Sequence, residues 1–475
     1  MFKSLTLAIF LAISCGTLPA SGNQVQTCDL LASDQIVSAG AAGSRVSYLA
    51  NPSFRCSDGT EIKADSSVTY ESTGLTNLIG NVIFSEEDRK MTSDVADYYS
   101  SSGRLEARGA VEVEVLENND LIAGNKLTML QKTTELQEDM MTVEGTQAYA
   151  LISSRNDVAG TGEDDIRINA NLLHIIGNRI LQAMGNVNVE RNSLELFGDS
   201  LELLQDGTGT KLFFNAEIYG AKDTSGASTN IKGDSVNILF ANNKLEKVRS
   251  MGSAETMYDD GSGSVRGSNM EITFEDDELK RISSMGVPVV SRDESTSESQ
   301  AVAILDEFTI TGDSIDLLME FGQIVNATAF GNAKGTSAAD LGDLDDNSPF
   351  LLREDWIEGD TVIVLFSEMT PQSNSAQEEG DESARLIEQM SAHGGARSFF
   401  RRRPVSESND TAFTAQPPME LNYVRGDDVR IFFSDGEVKE MEVTNAQGSF
   451  LQPKVKSDTT SINQNSRPRR NREDG

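Results

Sequence analysis

Aromatic residues make up only 6% of this 475-residue chain, with a single tryptophan, Trp356. Ten prolines and two histidines are also few for that length. So little histidine leaves little material for acid–base or metal chemistry. His174 lies in the apolar run Leu172–Ile176 and reads as a strand residue, while His393 sits in a polar stretch. No Gly-x-Ser-x-Gly elbow and no phosphate-binding glycine loop is present. The abundant carboxylates follow from the overall charge, so no single Asp/Glu pair points to catalysis. The reading is therefore of a non-enzyme with no cofactor. Cations are scarce as well: 40 Lys and Arg face 75 Asp and Glu, giving a net charge of −35. Such a surface repels nucleic-acid phosphates, which excludes nucleic acid as a partner.

Long apolar runs are missing outside the N-terminus. There, Lys3 precedes the apolar segment Leu5–Ile13, and Ala20 and Gly22 stand before Asn23. That order reads as a signal peptide over residues 1–22, too short to span a bilayer, and implies export. Cys15, after Ala12-Ile13-Ser14, weakly matches a lipoprotein box; the other reading is an ordinary cysteine in a discarded leader. Cleavage leaves Cys28 and Cys56 in the 23–59 segment. An even count in an exported chain suggests a Cys28–Cys56 disulfide; two buried thiols are the alternative. One acidic stretch, Asp343, Asp345, Asn347 and Glu354, has the spacing of a calcium loop. Ser348 replaces the required glycine and Pro349 follows, so no metal site is expected.

What the chain does have is repetition. Gly-Asp recurs at Gly198-Asp199, Gly233-Asp234, Gly312-Asp313, Gly359-Asp360 and Gly426-Asp427. Each is followed by alternating apolar residues. A second point recurs as Ile79-Gly80-Asn81, Met184-Gly185-Asn186, Met251-Gly252-Ser253, Met285-Gly286-Val287 and Phe330-Gly331-Asn332. Gly233 to Gly252, Gly267 to Gly286 and Gly312 to Gly331 are each separated by 19 residues. Period-two alternation means strands with one buried face. Each unit reads as a hairpin: a strand leaves Gly-Asp, turns at a polar pair such as Asn242-Asn243, and returns to the Gly-Asn point. The buried face would comprise Leu201, Leu203, Val236, Ile238, Phe240, Met270, Ile272, Phe274, Ile315, Leu317, Val362, Val364, Val429 and Ile431.

This reading gives an all-β, elongated antiparallel repeat array over residues 60–370, with a final hairpin over 419–452. Between them, residues 371–418 are rich in Ser, Glu, Gln and Pro and carry Arg401-Arg402-Arg403. They read as a disordered low-complexity insertion, with a short helix at Ala384–Met390. The tail, 453–475, ends in the basic cluster Arg467–Arg472 and also reads as disordered.

The serial order of these motifs resembles the LptA/OstA family of organic-solvent-tolerance-like proteins. Gly80-Asn81-Val82, Leu105-Glu106-Ala107 with Gly109-Ala110-Val111, Ala183-Met184-Gly185-Asn186-Val187 and Trp356 to Thr361 carry the resemblance. It covers most of residues 60–450. The resemblance implies a twisted, V-shaped β-jellyroll whose apolar groove shields lipid A acyl chains. It implies a periplasmic lipopolysaccharide carrier, possible outer-membrane association, and edge-strand pairing with Lpt-type proteins or head to tail with copies of itself. The chain departs from small family members in length, in the 371–418 segment and in its acidity. Two other readings stay open: a structural or adhesive repeat with no lipid, and a polysaccharide-acting β-helix enzyme.

Overall fold

The computed structural model describes residues 27–451 apart from short internal stretches, of which 154–164, 288–299, 339–353, 368–385 and 403–419 are the longest. The regular structure described is entirely antiparallel β. The leader, the Asp343–Asn347 part of the calcium-like spacing and the 453–475 tail lie outside the described residues. No helix among the described residues is long and apolar enough to cross a membrane. Two compact units divide the chain: residues 1–221 with 232–248, and residues 222–231 with 249–475.

From Leu75 to Leu204 the sheet of the first unit is built from strands of 11 to 13 residues, including Leu75–Ser85, Arg89–Tyr99, Met140–Ile152 and Ile180–Arg191. Such lengths exceed the usual five or six residues. They persist because each strand bends in its middle. The bend falls on the Gly-Asn point. Gly80 and Asn81 have φ of +77° and +45°, and Gly185 and Asn186 have +76° and +51°. The register of pairing shifts at the same places, between Ile79 and Val82 and between Met184 and Val187. This is a β-bulge, which bends a strand and re-aims its side chains. The second unit repeats the device at Gly252-Ser253 (+71°, +47°) and Gly331-Asn332 (+72°, +47°).

An aspartate, or at Gly185 an asparagine, Asn171, lies against the bend from the neighbouring chain segment. Asp65 accepts from Asn81 Nδ2 at 2.9 Å, and Asp199 from Asn215 Nδ2 at 3.0 Å. Asp94 accepts from the Ala110 amide at 3.2 Å. Backbone bonds run through the same line: Asn51 N donates to Asp65 O and Asp65 N to Gly80 O, both at 2.8 Å. The Gly-Asp and Gly-Asn signatures are thus two halves of one corner, not the start of one strand and the end of the next. The 19-residue interval is one arm's excursion from corner to tip and back.

Bending divides each strand into two arms, and both arms bury alternate residues. Along Ile180–Arg191, Leu181 and Ala183 lie before the bend and Val187, Val189 and Arg191 after it; all five are buried. No other layer of regular structure is described that could cover them. The two arms of the folded sheet therefore cover each other, and the core lies between them.

At the chain's start, Cys28 and Cys56 are joined by a disulfide. They sit opposite each other on paired strands, Cys28–Ala32 and Ser53–Cys56. The reading of 371–418 requires correction. Ile387–His393 and Arg397–Arg402 within it are strands. Ile387–His393 pairs with Glu354–Phe366 on one side and Asp428–Ser434 on the other. The helix expected at Ala384–Met390 is replaced in its described part by strand, because Met390 and Ala392 extend the inward alternation and Gly394 makes the corner against Asp360. Arg401 is not a solvated charge: its side chain is 6% exposed and donates to Asp355 Oδ1 at 2.8 Å. Burial raises the Asp355 pKa, against the opposing pull of Arg401.

Candidate functional site

The 14 apolar residues singled out above turn inward, and most of them stand in register. In the second unit, Ile272, Ile282, Leu317, Ala327, Val364, Met390 and Ile431 are successive cross-strand partners, forming one row over seven strands. Met270, Ser284, Ile315, Ala329, Val362, Ala392 and Val429 form the parallel row two residues along. In the first unit, Leu201 stands between Ala183 and Leu212, and Leu203 between Leu181 and Thr210. Val236 and Ile238 are buried in the same unit. Alternation alone places these rows, since side chains two apart in a strand share a face.

Exposure of these residues decides how the interior stands at rest. Twelve of the fourteen, all but Phe240 and Phe274, are 0–2% exposed. Phe274 is 9% exposed. Phe240 is half-buried, with the Arg191 guanidinium 4.1 Å from its ring centroid. Arg191 comes from the arm after the Gly185 corner and Phe240 from the arm after Gly233, so this cation–π contact joins opposite arms. An open trough along the chosen residues is not observed; their side chains fill the space.

Sequence reasoning chose only the arm that follows Gly-Asp. It missed the facing arm, which includes Phe84, Val113, Ile122, Ile168, Val189 and Ile218, all buried. The signal was present: period two continues past each Gly-Asn point, as in Val187 and Val189.

A cavity of about 390 Å³ opens between the arms of the first unit. Its floor is apolar, from Val113 and Ile122 on one arm and Met141 and Ile175 on the other. Its rim is charged. Arg89, from the first of these arms, donates to Asp139 Oδ2 on the second at 2.5 Å. Arg89 also pairs with Glu86, which accepts a bond from Gln131 at 3.3 Å. The Arg89 and Glu86 side chains are 17% and 12% exposed. Burial pushes the Glu86 carboxyl pKa up, and Arg89 and Gln131 only partly offset it. Arg89 loses to burial and regains more from its carboxylate neighbours, so its pKa rises and it stays charged.

No family model matches this chain, and no curated protein matches it. Among solved structures it is similar to LptH of Pseudomonas aeruginosa, the LptA-homologous periplasmic component of the lipopolysaccharide transport device. The two are 13% identical, with a TM-score of 0.24 over 30% of this chain and 94% of LptH.

The histidines offer no reactive constellation. His174 Nδ1 bonds the Thr142 hydroxyl at 3.0 Å on a strand. His393 is in a strand beside a corner, not in a polar loop, and meets Asp428 at 2.8 Å. No group of three or more His, Cys, Asp or Glu able to hold a metal occurs among the described residues.

Proposed function

We propose that this chain is an exported, non-enzymatic envelope protein that carries lipopolysaccharide, enclosing lipid A acyl chains between the two arms of its folded sheet. The observation that supports this reading is the pair of inward rows, apolar but for Ser284, in register over seven strands. An acyl chain in water is disfavoured by about 0.8 kcal/mol per methylene, so a carrier must present a continuous apolar surface of that kind. The rows are covered by the facing arm at rest, so loading parts the arms and exchanges side-chain contacts for methylene contacts. Acyl burial supplies the affinity, since a net charge of −35 opposes the lipid's phosphates.

The ends of the array suit assembly. Gln35–Ala39 pairs with Val46–Ala50 on one side, and among the described residues its other side is open. Glu437–Thr444 is likewise paired on one side by Asp428–Ser434. An open edge is a template for another strand, which favours pairing with Lpt-type partners or further copies in a periplasmic bridge to the outer membrane.

A photo-crosslinking residue at Ile272 or Leu317, activated in living cells, is expected to give an adduct with lipopolysaccharide. Depletion of the protein should also delay arrival of new lipopolysaccharide at the cell surface. Absence of both effects would overturn the carrier reading. It would favour a structural repeat without lipid, the reading that the side-chain-filled interior supports.

A further inference from the structure

The cavity between the arms of the first unit is built unlike the rest of the interior. Along the rows described above the inward face is mostly apolar and its side chains are 0–2% exposed. Here four buried apolar residues from both arms form a floor, and a half-buried arginine stands over it. Arg89 carries five donors in a planar fork and remains charged, so it must keep an anionic partner. Its partner across the gap, Asp139, is held by the arm that would have to move if the arms parted. Asp139 has other bonds: its Oδ1 accepts from the Lys132 amide at 2.6 Å and its carbonyl from Gly177 N at 2.9 Å. Asp139 can therefore release Arg89 without being stranded, and Arg89 then keeps Glu86 and Asp88 at its Nε while its Nη2 loses the partner across the gap.

We propose that this cavity is a portal that admits one acyl chain with an acidic head, the tail resting on Val113, Ile122, Met141 and Ile175 and the head replacing Asp139 on Arg89. The ligand class is a single-chain anionic amphiphile, with a carboxylate or phosphate head. A volume of about 390 Å³ lies at the low end for small-molecule sites and suits one chain rather than a many-chained lipid. Exchange of Asp139 for the ligand's anionic head keeps Arg89 Nη2 paired and gives up this contact between the arms only when a ligand is present. The portal deepens the carrier reading and rests on it for its role, but its binding stands alone.

The test is titration of the full chain with dodecanoate, dodecyl phosphate and dodecyltrimethylammonium below their micellar concentrations, read by calorimetry. The two anions should bind saturably at one site, and the cation should not. Asp139→Asn, which removes the carboxylate facing Arg89 Nη2 while Glu86 and Asp88 stay on its Nε, should tighten anion binding several-fold, a gain that a misfolded variant cannot give. Ile175→Trp, which fills the floor, should weaken it at least tenfold. Equal binding of anion and cation, or no response to either substitution, would overturn the proposal. Added lipopolysaccharide displaces dodecanoate if the chain belongs to a larger lipid and leaves it bound if the site takes free fatty acids. Either result supports the site. Failure here leaves the Ile272 crosslink untouched, and a missing crosslink leaves this titration untouched, so the two readings fail separately.

Discussion

Replacing Gly80 by alanine tests the corner mechanism directly. Gly80 has φ of +77°, where an L-residue costs about 1–2 kcal/mol. A Cβ there would stand 2.4 Å from Asp65 Oδ2, so Asp65 must move and give up its bond to Asn81. Loss of that bond adds about 0.5–1.5 kcal/mol. The expected total for Gly80→Ala is about 1.5–3.5 kcal/mol. Gly59 is the internal control: its φ is +94°, yet nothing lies within 4 Å of its would-be Cβ. Gly59→Ala should cost only the conformational part. Hydrogen exchange of the peptide spanning residues 75–99 reads the opening free energy of the strands that meet at this corner. Adding Asp65→Ala to Gly80→Ala should cost less than the sum of the single changes, because the clash is gone. If Gly80→Ala opens the sheet no more than Gly59→Ala does, the glycine–aspartate contact is not what makes the corner.

Three other outcomes follow from the same structure. Leu317→Ala should destabilise the second unit by about 2–5 kcal/mol, whereas Leu318→Ala, at a side chain 46% exposed, should stay within about 0.5 kcal/mol; urea unfolding compares them. Serine at Cys28 and Cys56 should lower stability by about 3–4 kcal/mol on the chain-entropy model for a separation of 28 residues, read as a shift in the urea midpoint under non-reducing conditions. Glu86 has a raised pKa in the fold, so just above the ordinary carboxylate pKa the folded chain holds a proton that the unfolded chain has lost. More protons bound in the folded state means that stability falls as pH rises through that window. Urea midpoints measured upward from pH 4.5 should show this slope, and Glu86→Gln should flatten it.

The inward rows were legible because strand alternation is a one-dimensional signal: Ile272 and Leu317 share a face by counting alone. The corners were half legible. Gly-Asp and Gly-Asn stood out, but period two runs unchanged through a bend, so Gly185 reads equally as a strand end or as its middle. Only the positive φ at Asn186 decides. Residues 371–418 were misread because a polar composition averaged over the whole segment hid two short strands, where Met390, Ala392 and Phe400 are buried. The rim of the cavity was not legible at all. Arg89 meets Asp139 across 50 residues and Gln131 meets Glu86 across 45, and no local pattern marks partners so distant.

The corner also bears on how such a chain lengthens. The bends at Asn81, Ala110 and Asn215 are each satisfied by a residue only 16 positions earlier, so a duplicated pair of arms arrives with its own hinge chemistry. Growth by copying therefore adds reach without redesigning what is already there, and the uneven segments between repeats are where such joins leave the least disturbance.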